Sequence, residues 1–135
     1  MTSSLRYLLI LLATGFTASA AALGVEAWQR EDRSRIFAEA ATGGNADAGK
    51  QVMKRYGCGS CHQIPGVAGA FGKVGPSPAH FGSRTEIAGH LANDPPNLAL
   101  WLRTPQAVSP GNGMPNQGVS EAEARDMSAY LYTLR

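Results

Sequence analysis

Cysteine is scarce in this chain of 135 residues, and neither sign of charge dominates. A content of only 2 Cys excludes a scaffold built on several disulfides. The 12 Lys+Arg residues against 10 Asp+Glu residues leave a net charge of +2, which gives no electrostatic footprint for nucleic acid. Alternating β-patterns and internal repeats are also missing. The length suits one small domain with an appendage and excludes two independent cores.

Charge is missing altogether from the segment between Arg6 and Glu26. A helix over this segment covers roughly 28 Å at about 1.5 Å per residue, close to the hydrocarbon thickness of a bilayer. Two interpretations of residues 1–27 stay open: a secretory signal peptide cleaved around residues 18–22, and a single-span membrane anchor through residues 7–25. Both deliver the rest of the chain across a membrane, which predicts a location on the periplasmic side of a bacterial inner membrane, anchored or exported.

A break at Gly43-Gly44-Asn45 divides the rest of the sequence. Before it lies a charged and then Ala-rich linker or stalk, residues 28–45, and after it a domain assigned to residues 46–135. In that domain Asp47 is predicted to cap a first helix, which ends at Gly57. Many glycines and prolines then predict a long irregular loop.

The second half of the domain carries three further helical signals. A short helix is predicted over Glu86 to Leu91. Asp94-Pro95-Pro96-Asn97 predicts the start of another helix, which stops before Pro105. Residues 105–118 are predicted as loop, and Ser120-Glu121-Ala122-Glu123 is a capping box that begins an amphipathic last helix. Three helices with so few large apolar residues usually need a disulfide, a metal or a cofactor to hold them together.

Cys58-Gly59-Ser60-Cys61-His62 is the pattern of c-type haem attachment. Two thiols three positions apart can each add to one vinyl group of the same porphyrin, and the adjacent imidazole then falls under the iron. A thioredoxin-like pair is disfavoured because no βαβ pattern surrounds the motif, and a zinc site because no second close Cys/His pair follows. A disulfide is geometrically poor at this spacing. The pattern therefore predicts one haem c, covalently bound through Cys58 and Cys61, with His62 as an iron ligand.

Methionine often shares the iron of electron-transfer haems with histidine, and the chain contains 4 Met including the initiator. Met53 and Met127 fall on helical faces, where core packing is the expected role. Met114 alone lies in a loop, between Gly113 and Pro115, and it is the predicted distal ligand. A distal histidine, His80 or His90, or an open distal side is the alternative.

The order of these motifs resembles a class I cytochrome c over residues 46–135, and in particular the haem c domain fused to subunit II of some haem–copper oxidases. The shared features are Cys58 to His62, Ile64-Pro65-Gly66, Val74-Gly75-Pro76, Asn97-Leu98 with Trp101, Pro105-Gln106, Gly113-Met114-Pro115 and the closing Tyr130-Leu131-Tyr132-Thr133-Leu134. The resemblance implies a small all-α cytochrome c fold, three to four helices wrapped around one covalent haem, with an N-terminal hydrophobic helix. No copper-binding domain precedes these motifs, so the resemblance implies a free-standing or membrane-tethered relative.

The resemblance also implies roles for individual residues. The carbonyl of Pro76 would accept a hydrogen bond from the ring of the ligating histidine and fix its tautomer. Arg84 would lie near a haem propionate, and Trp101 would pack against the porphyrin. Without the resemblance, Arg84 is a solvated surface charge and Trp101 fills the core. Gly49 and Tyr130 would meet where the first and last helices of the domain cross.

Together these features predict one-electron transfer in a respiratory or related chain, and not an enzyme in its own right. An iron ligated by His and Met has no free site for substrate, so electrons exchange with docking partners such as a terminal oxidase or a quinol- or substrate-oxidising complex. Two alternatives stay open. One is a fixed haem c subunit of a membrane oxidoreductase complex. The other is a haem peroxidase or gas-binding protein with an open distal side.

Overall fold

The computed structural model describes residues 3–135, which divide into two compact units. The first unit ends at Arg33, and the second comprises Ser34–Arg135. Helix α1 runs without interruption over Ser3–Thr42. Residues 1 and 2 of the predicted leader lie outside the described residues.

The first unit consists of α1 as far as Arg33, which includes the apolar segment and the charged residues after it. An 18-residue window of this helix has a mean hydropathy of 2.0, and none of that window is buried. The hydroxyls of Thr14 and Thr17 donate to the carbonyls of Leu11 and Thr14 at 3.0 and 2.9 Å, so these polar groups are satisfied within the helix. By length and composition this helix can cross a membrane, and a signal sequence has the same properties. The segment therefore supports membrane anchoring or export.

The last turns of α1 belong to the second unit. The Ser34 hydroxyl donates to the carbonyl of Thr133 at 3.4 Å, and a Glu39 carboxylate oxygen accepts from the backbone N–H of Ala46 at 2.9 Å. Ala38, on the same turns, is buried. Part of the segment between the leader and residue 46 is therefore helical and packed within the folded unit.

Helix α2 spans Ala46–Arg55 and begins at a different cap from the one predicted. Asn45 is the N-cap, and its Oδ1 accepts from the backbone N–H of Ala48 at 2.8 Å. Asn45 has the extended backbone that a capping residue needs, whereas Asp47 already lies within the first helical turn. The prediction of Asp47 as the cap was wrong, although the helix itself is present.

Residues 86–92 form a small antiparallel hairpin and not the predicted short helix. Strand β1, Glu86–Ile87, pairs with strand β2, Leu91–Ala92. Between them Ala88 and Gly89 both have positive φ, 53° and 72°, which reverses the chain and is incompatible with a right-handed helix. The expectation that the domain has no β-structure was therefore wrong, and Gln63 and Phe71 also form an isolated antiparallel bridge.

Helix α3 spans Pro95–Arg103, and its N-cap Asp94 accepts from the backbone N–H of Asn97 at 2.8 Å. The predicted start and end of this helix are confirmed. A short helix α4, Pro105–Val108, follows in a segment predicted as loop. Proline at a first helical position already has the φ that a helix needs, which explains why a turn of helix forms here.

Helix α5 spans Glu121–Thr133 and packs against both α2 and α3. Its predicted capping box is confirmed, since the Ser120 hydroxyl accepts from the backbone N–H of Glu123 while the Glu123 side chain accepts from that of Ser120. Apolar side chains of the three helices and of the loops between them form one core. Its members are Val52, Met53, Ile64, Val67, Ala70, Phe81, Ile87, Leu98, Leu102, Val119, Ala124, Met127 and Leu131.

Gly49 lies where α2 crosses α5. A Cβ at this position would overlap the backbone of Asp126 and approach that of Met127, so only glycine lets the two helices come this close. Tyr130, which the resemblance placed at this crossing, lies one turn further along α5, where its hydroxyl donates to the carbonyl of Pro65. The crossing is therefore formed by Gly49 and the backbone of α5, and Tyr130 anchors a neighbouring loop.

Candidate haem-attachment site

The Cys58-to-His62 segment follows α2 as a single tight turn. Cys58–Ser60 form a turn of 3₁₀ helix, and the carbonyl of Cys58 accepts from the backbone N–H groups of Cys61 and His62 at 3.3 and 3.0 Å. Two thiols and one imidazole are thereby presented by five consecutive residues whose backbone is fixed by its own hydrogen bonds.

The two thiols differ in environment. Cys58 is half-buried and packs against the core, whereas Cys61 is exposed and accepts a hydrogen bond from the Ser60 hydroxyl at 3.8 Å. Burial raises the pKa of the Cys58 thiol. The thiols are not joined in a disulfide. Zinc binds thiolates, and no cluster of three or more His, Cys, Asp or Glu side chains suited to a metal ion occurs within residues 3–135.

His62 is held by the carbonyl of Pro76, which lies 2.8 Å from its Nδ1. Because a carbonyl only accepts hydrogen bonds, Nδ1 carries the proton and Nε2 keeps its lone pair. In the described part of the chain Nε2 has no hydrogen-bond partner. The hydrogen bond that the resemblance implies for Pro76 is present, and it leaves one ring nitrogen ready to ligate a metal.

Gly75 packs directly against the imidazole of His62. A Cβ on Gly75 would overlap the ring atoms, so no larger residue fits while His62 stays in this position. The backbone N–H of Gly75 also donates to the carbonyl of Cys61 at 2.8 Å, and that of Gly72 to the carbonyl of Gly59 at 2.9 Å. The loop that carries the histidine's partner is therefore tied to the cysteine turn through backbone hydrogen bonds.

Met114 lies in the loop after α4, half-buried, with its side chain packed against the core. Its backbone N–H donates to Oδ1 of Asn112 at 2.7 Å, and its carbonyl accepts from Nε2 of Gln106 at 2.7 Å. The sequence alone did not indicate a role for these two amides. The only local signal was the presence of Asn and Gln in a loop whose backbone groups lack a regular ladder. The rival distal residues, His80 and His90, are both exposed.

Arg84 and Trp101 occupy defined positions in the same unit. Nη2 of Arg84 donates to the carbonyls of Ser77 and Ala79 at 2.6 and 2.9 Å, and the guanidinium lies 5.7 Å from the centre of the Phe81 ring. Arg84 thus braces the loop that follows Pro76, although much of its side chain is exposed. Trp101 is half-buried and packs against the core.

These residues fit a covalently bound haem. The turn offers two thiols outside any disulfide, and the imidazole beside them keeps a lone pair on Nε2. A thioether is available in a loop whose backbone is held at both its N–H and its carbonyl. Nitrogen, thioether and paired thiols are the donors that c-type haem uses.

The chain also matches known proteins in sequence. The family model for cytochrome c matches residues 46–135. Cytochrome c oxidase subunit 2 of Alkalihalophilus pseudofirmus is 38% identical over 91 residues, which cover 67% of this chain and 26% of that protein. Cytochrome c oxidase subunit 2 of Bacillus subtilis is 29% identical over 114 residues, 82% of this chain and 32% of that protein. No solved structure gives a significant match.

The helical fold, the cysteine turn and the family match together define the class of protein as a cytochrome c domain, which implies haem-based electron transfer. The chain belongs to the cytochrome c family. The predicted small cytochrome c fold with an N-terminal apolar helix is thereby confirmed, as is the resemblance to subunit II of haem–copper oxidases. The chain spans only 26% to 32% of the length of these two oxidase subunits.

Proposed function

We propose that this protein is a one-electron carrier with a single haem c attached through Cys58 and Cys61. In this proposal the iron is ligated by Nε2 of His62 and by the sulfur of Met114. The observation that carries it is the hydrogen bond from Nδ1 of His62 to the carbonyl of Pro76, which leaves Nε2 free beside the two thiols.

Each of these residues has a distinct task. Cys58 and Cys61 fix the group to the turn, and Pro76 fixes the tautomer of His62 and makes its ring a better donor. When bound, the haem supplies a one-electron Fe(III)/Fe(II) couple. The thioether of Met114 favours the reduced state relative to a second histidine, which raises the potential. With Nε2 of His62 and the sulfur of Met114 as its ligands, the bound haem would leave no site for a substrate, so electron transfer is the only activity proposed.

Arg84 and Trp101 are proposed to contact the edge of the haem. Only Nη2 of Arg84 is used by Ser77 and Ala79, so its other N–H groups remain for a propionate carboxylate. Among the described residues the indole N–H of Trp101 has no acceptor, and a half-buried indole usually finds one. Trp101→Phe, Trp101→Leu and Arg84→Gln would then change the packing and the reduction potential of the haem without removing either proposed iron ligand.

The ligand proposal is tested by replacing Met114 with Ala in the holoprotein. The near-infrared sulfur-to-iron charge-transfer band of the oxidised protein is expected to vanish, and the reduction potential to fall. Met53→Leu is the matched control, because Met53 is a core residue only 2% exposed and its substitution should keep the band. An unchanged band in Met114→Ala would reject Met114 as the ligand.

The site of action is proposed to be the periplasmic face of a bacterial inner membrane. There the protein would exchange electrons with a terminal oxidase or a quinol- or substrate-oxidising complex, held to the membrane through residues 7–25 if these are retained. Cytochrome c domains are usually extracytoplasmic.

A fixed subunit of an oxidase complex is the second candidate, because the two relatives compared are named cytochrome c oxidase subunit 2. Washing membranes with high salt and then with mild detergent separates the cases. A permanent subunit should leave the membrane only with detergent and should co-purify with oxidase activity. A cleaved, soluble carrier should appear in the soluble periplasmic fraction.

A further inference from the structure

The loop that carries Met114 is held by side chains and not by a helix or strand ladder. Two amides, Gln106 on α4 and Asn112 within the loop, together account for six hydrogen bonds through their side chains. We call this pair the amide clamp. Both amides are half-buried, and every one of their six partners is a backbone group.

Asn112 connects the loop to both ends of α4. Its Nδ2 donates to the carbonyls of Pro105 and Ser109 at 2.9 and 2.6 Å, and its Oδ1 accepts from the backbone N–H of Met114 at 2.7 Å. The last contact, from a side-chain oxygen to the N–H two residues later, is an Asx turn. One amide therefore sets the position of Met114 relative to α4.

Gln106 closes the loop from the other side. Its Nε2 donates to the carbonyls of Asn112 and Met114 at 2.8 and 2.7 Å, and its Oε1 accepts from the backbone N–H of Gly111 at 3.0 Å. Met114 is thus gripped at both of its backbone polar groups, while its side chain stays free of hydrogen bonds and packs against the core. The opposite orientation of the Gln106 amide would turn Oε1 toward the carbonyls of Asn112 and Met114, and neither could donate to it.

We propose that Gln106 and Asn112 are positioning residues that hold the sulfur of Met114 at the haem iron. This inference rests on the proposed function, in which Met114 is the distal ligand. A thioether is a neutral, weak ligand, so the time it spends on the iron depends on how firmly its loop is held. Gly111, with φ of 79°, and the neighbouring Gly113 add conformational freedom that the clamp must offset.

Competition with added imidazole measures this hold directly. Imidazole binds the oxidised iron only when the sulfur is away, so its apparent affinity rises in proportion to the open fraction. Gln106→Leu removes the two donors that hold the Asn112 and Met114 carbonyls. From the usual net free energy of such hydrogen bonds we expect imidazole to bind about tenfold more tightly. The titration is monitored by the loss of the near-infrared band as imidazole binds.

Two further variants separate positioning from general damage. Asn112→Ala removes the acceptor for the N–H of Met114 and the donors to Pro105 and Ser109, and Asn112→Asp turns a carboxylate oxygen toward those two carbonyls, so both variants should raise the imidazole affinity. Gln117→Leu is the matched control, because Gln117 lies exposed in the same loop and its side chain has no hydrogen-bond partner among residues 3–135. The far-ultraviolet circular dichroism of all four variants should match that of the unsubstituted protein.

The outcomes are distinguishable. If Gln106→Leu and Asn112→Ala keep the band and bind imidazole no more tightly than Gln117→Leu, the inference is overturned while Met114 remains the ligand. If the unsubstituted holoprotein shows no sulfur-to-iron band, the ligand assignment fails first, and the clamp inference fails with it. A rise in imidazole affinity in Gln106→Leu and in both Asn112 variants, relative to Gln117→Leu, supports the clamp.

Discussion

Replacement of Gly49 by Ala tests the packing of α2 on α5 by the sign of its effect. Helix propensity alone predicts that Ala at this interior position stabilises the fold by about 1 kcal/mol. The structure predicts the opposite, because the added Cβ would overlap the backbone of Asp126, which cannot swing aside as a side chain can. Taking about 3 kcal/mol for overpacking against the propensity gain leaves a net loss of about 2 kcal/mol.

Urea unfolding and thermal unfolding of the holoprotein, both monitored by far-ultraviolet circular dichroism, measure this effect. A loss of about 2 kcal/mol corresponds to a fall in Tm of roughly 10 °C for a domain of this size. Ala48→Gly, one position earlier in α2, is the control, and it should lose only the propensity difference, about 1 kcal/mol. A Gly49→Ala protein as stable as the parent, or more stable, would refute the close approach of the two helices.

Three further predictions concern the charge of Glu123, the position of the His62 ring and the N-cap of α2. The backbone N–H and the hydroxyl of the capping-box serine lower the pKa of Glu123 from 4.5 to about 2, so its stabilising effect is complete above the unfolded value and is lost as pH falls from about 4.5 toward about 2. In Glu123→Gln the urea midpoint should therefore depend less on pH over that range. An unchanged slope of the midpoint against pH would contradict this. Gly75→Ala should displace the imidazole of His62 and cost about 1–3 kcal/mol, seen as a lower urea midpoint and an altered haem spectrum. Asn45→Ala should cost about 1 kcal/mol in the same assay whereas Asp47→Ala costs little, and equal effects would contradict the cap observed.

Helix starts were predictable wherever the signal is local. Asp94 precedes two prolines, and Ser120 stands three residues before a glutamate, and both patterns satisfy N–H groups within one turn. The hairpin at residues 86–92 was missed because positive φ at Ala88 is not encoded in any propensity of alanine. Asn45 and Asp47 are two suitable caps only two positions apart, and local chemistry does not choose between them.

In the candidate site, too, the residues of a local motif were predictable and those that depend on the fold were not. Cys58, Cys61 and His62 form a contiguous motif, so their joint presence at one turn followed from the sequence. The Asx turn from Asn112 to the N–H of Met114 follows a local spacing of two residues, whereas the contacts of Gln106 depend on how α4 meets the loop. Met114 could therefore be proposed as a ligand from the sequence, but the role of Gln106 became visible only in the structure.

The central claim is a porphyrin joined to this chain by two thioether bonds. Its most direct measurement is the intact mass of the protein purified from its own host, taken before and after extraction with acidified acetone. The account predicts the mass of the polypeptide plus one haem in both samples, and the mass also reports whether residues 1–20 are retained. A bare polypeptide mass, or pigment that leaves with the solvent, would contradict it.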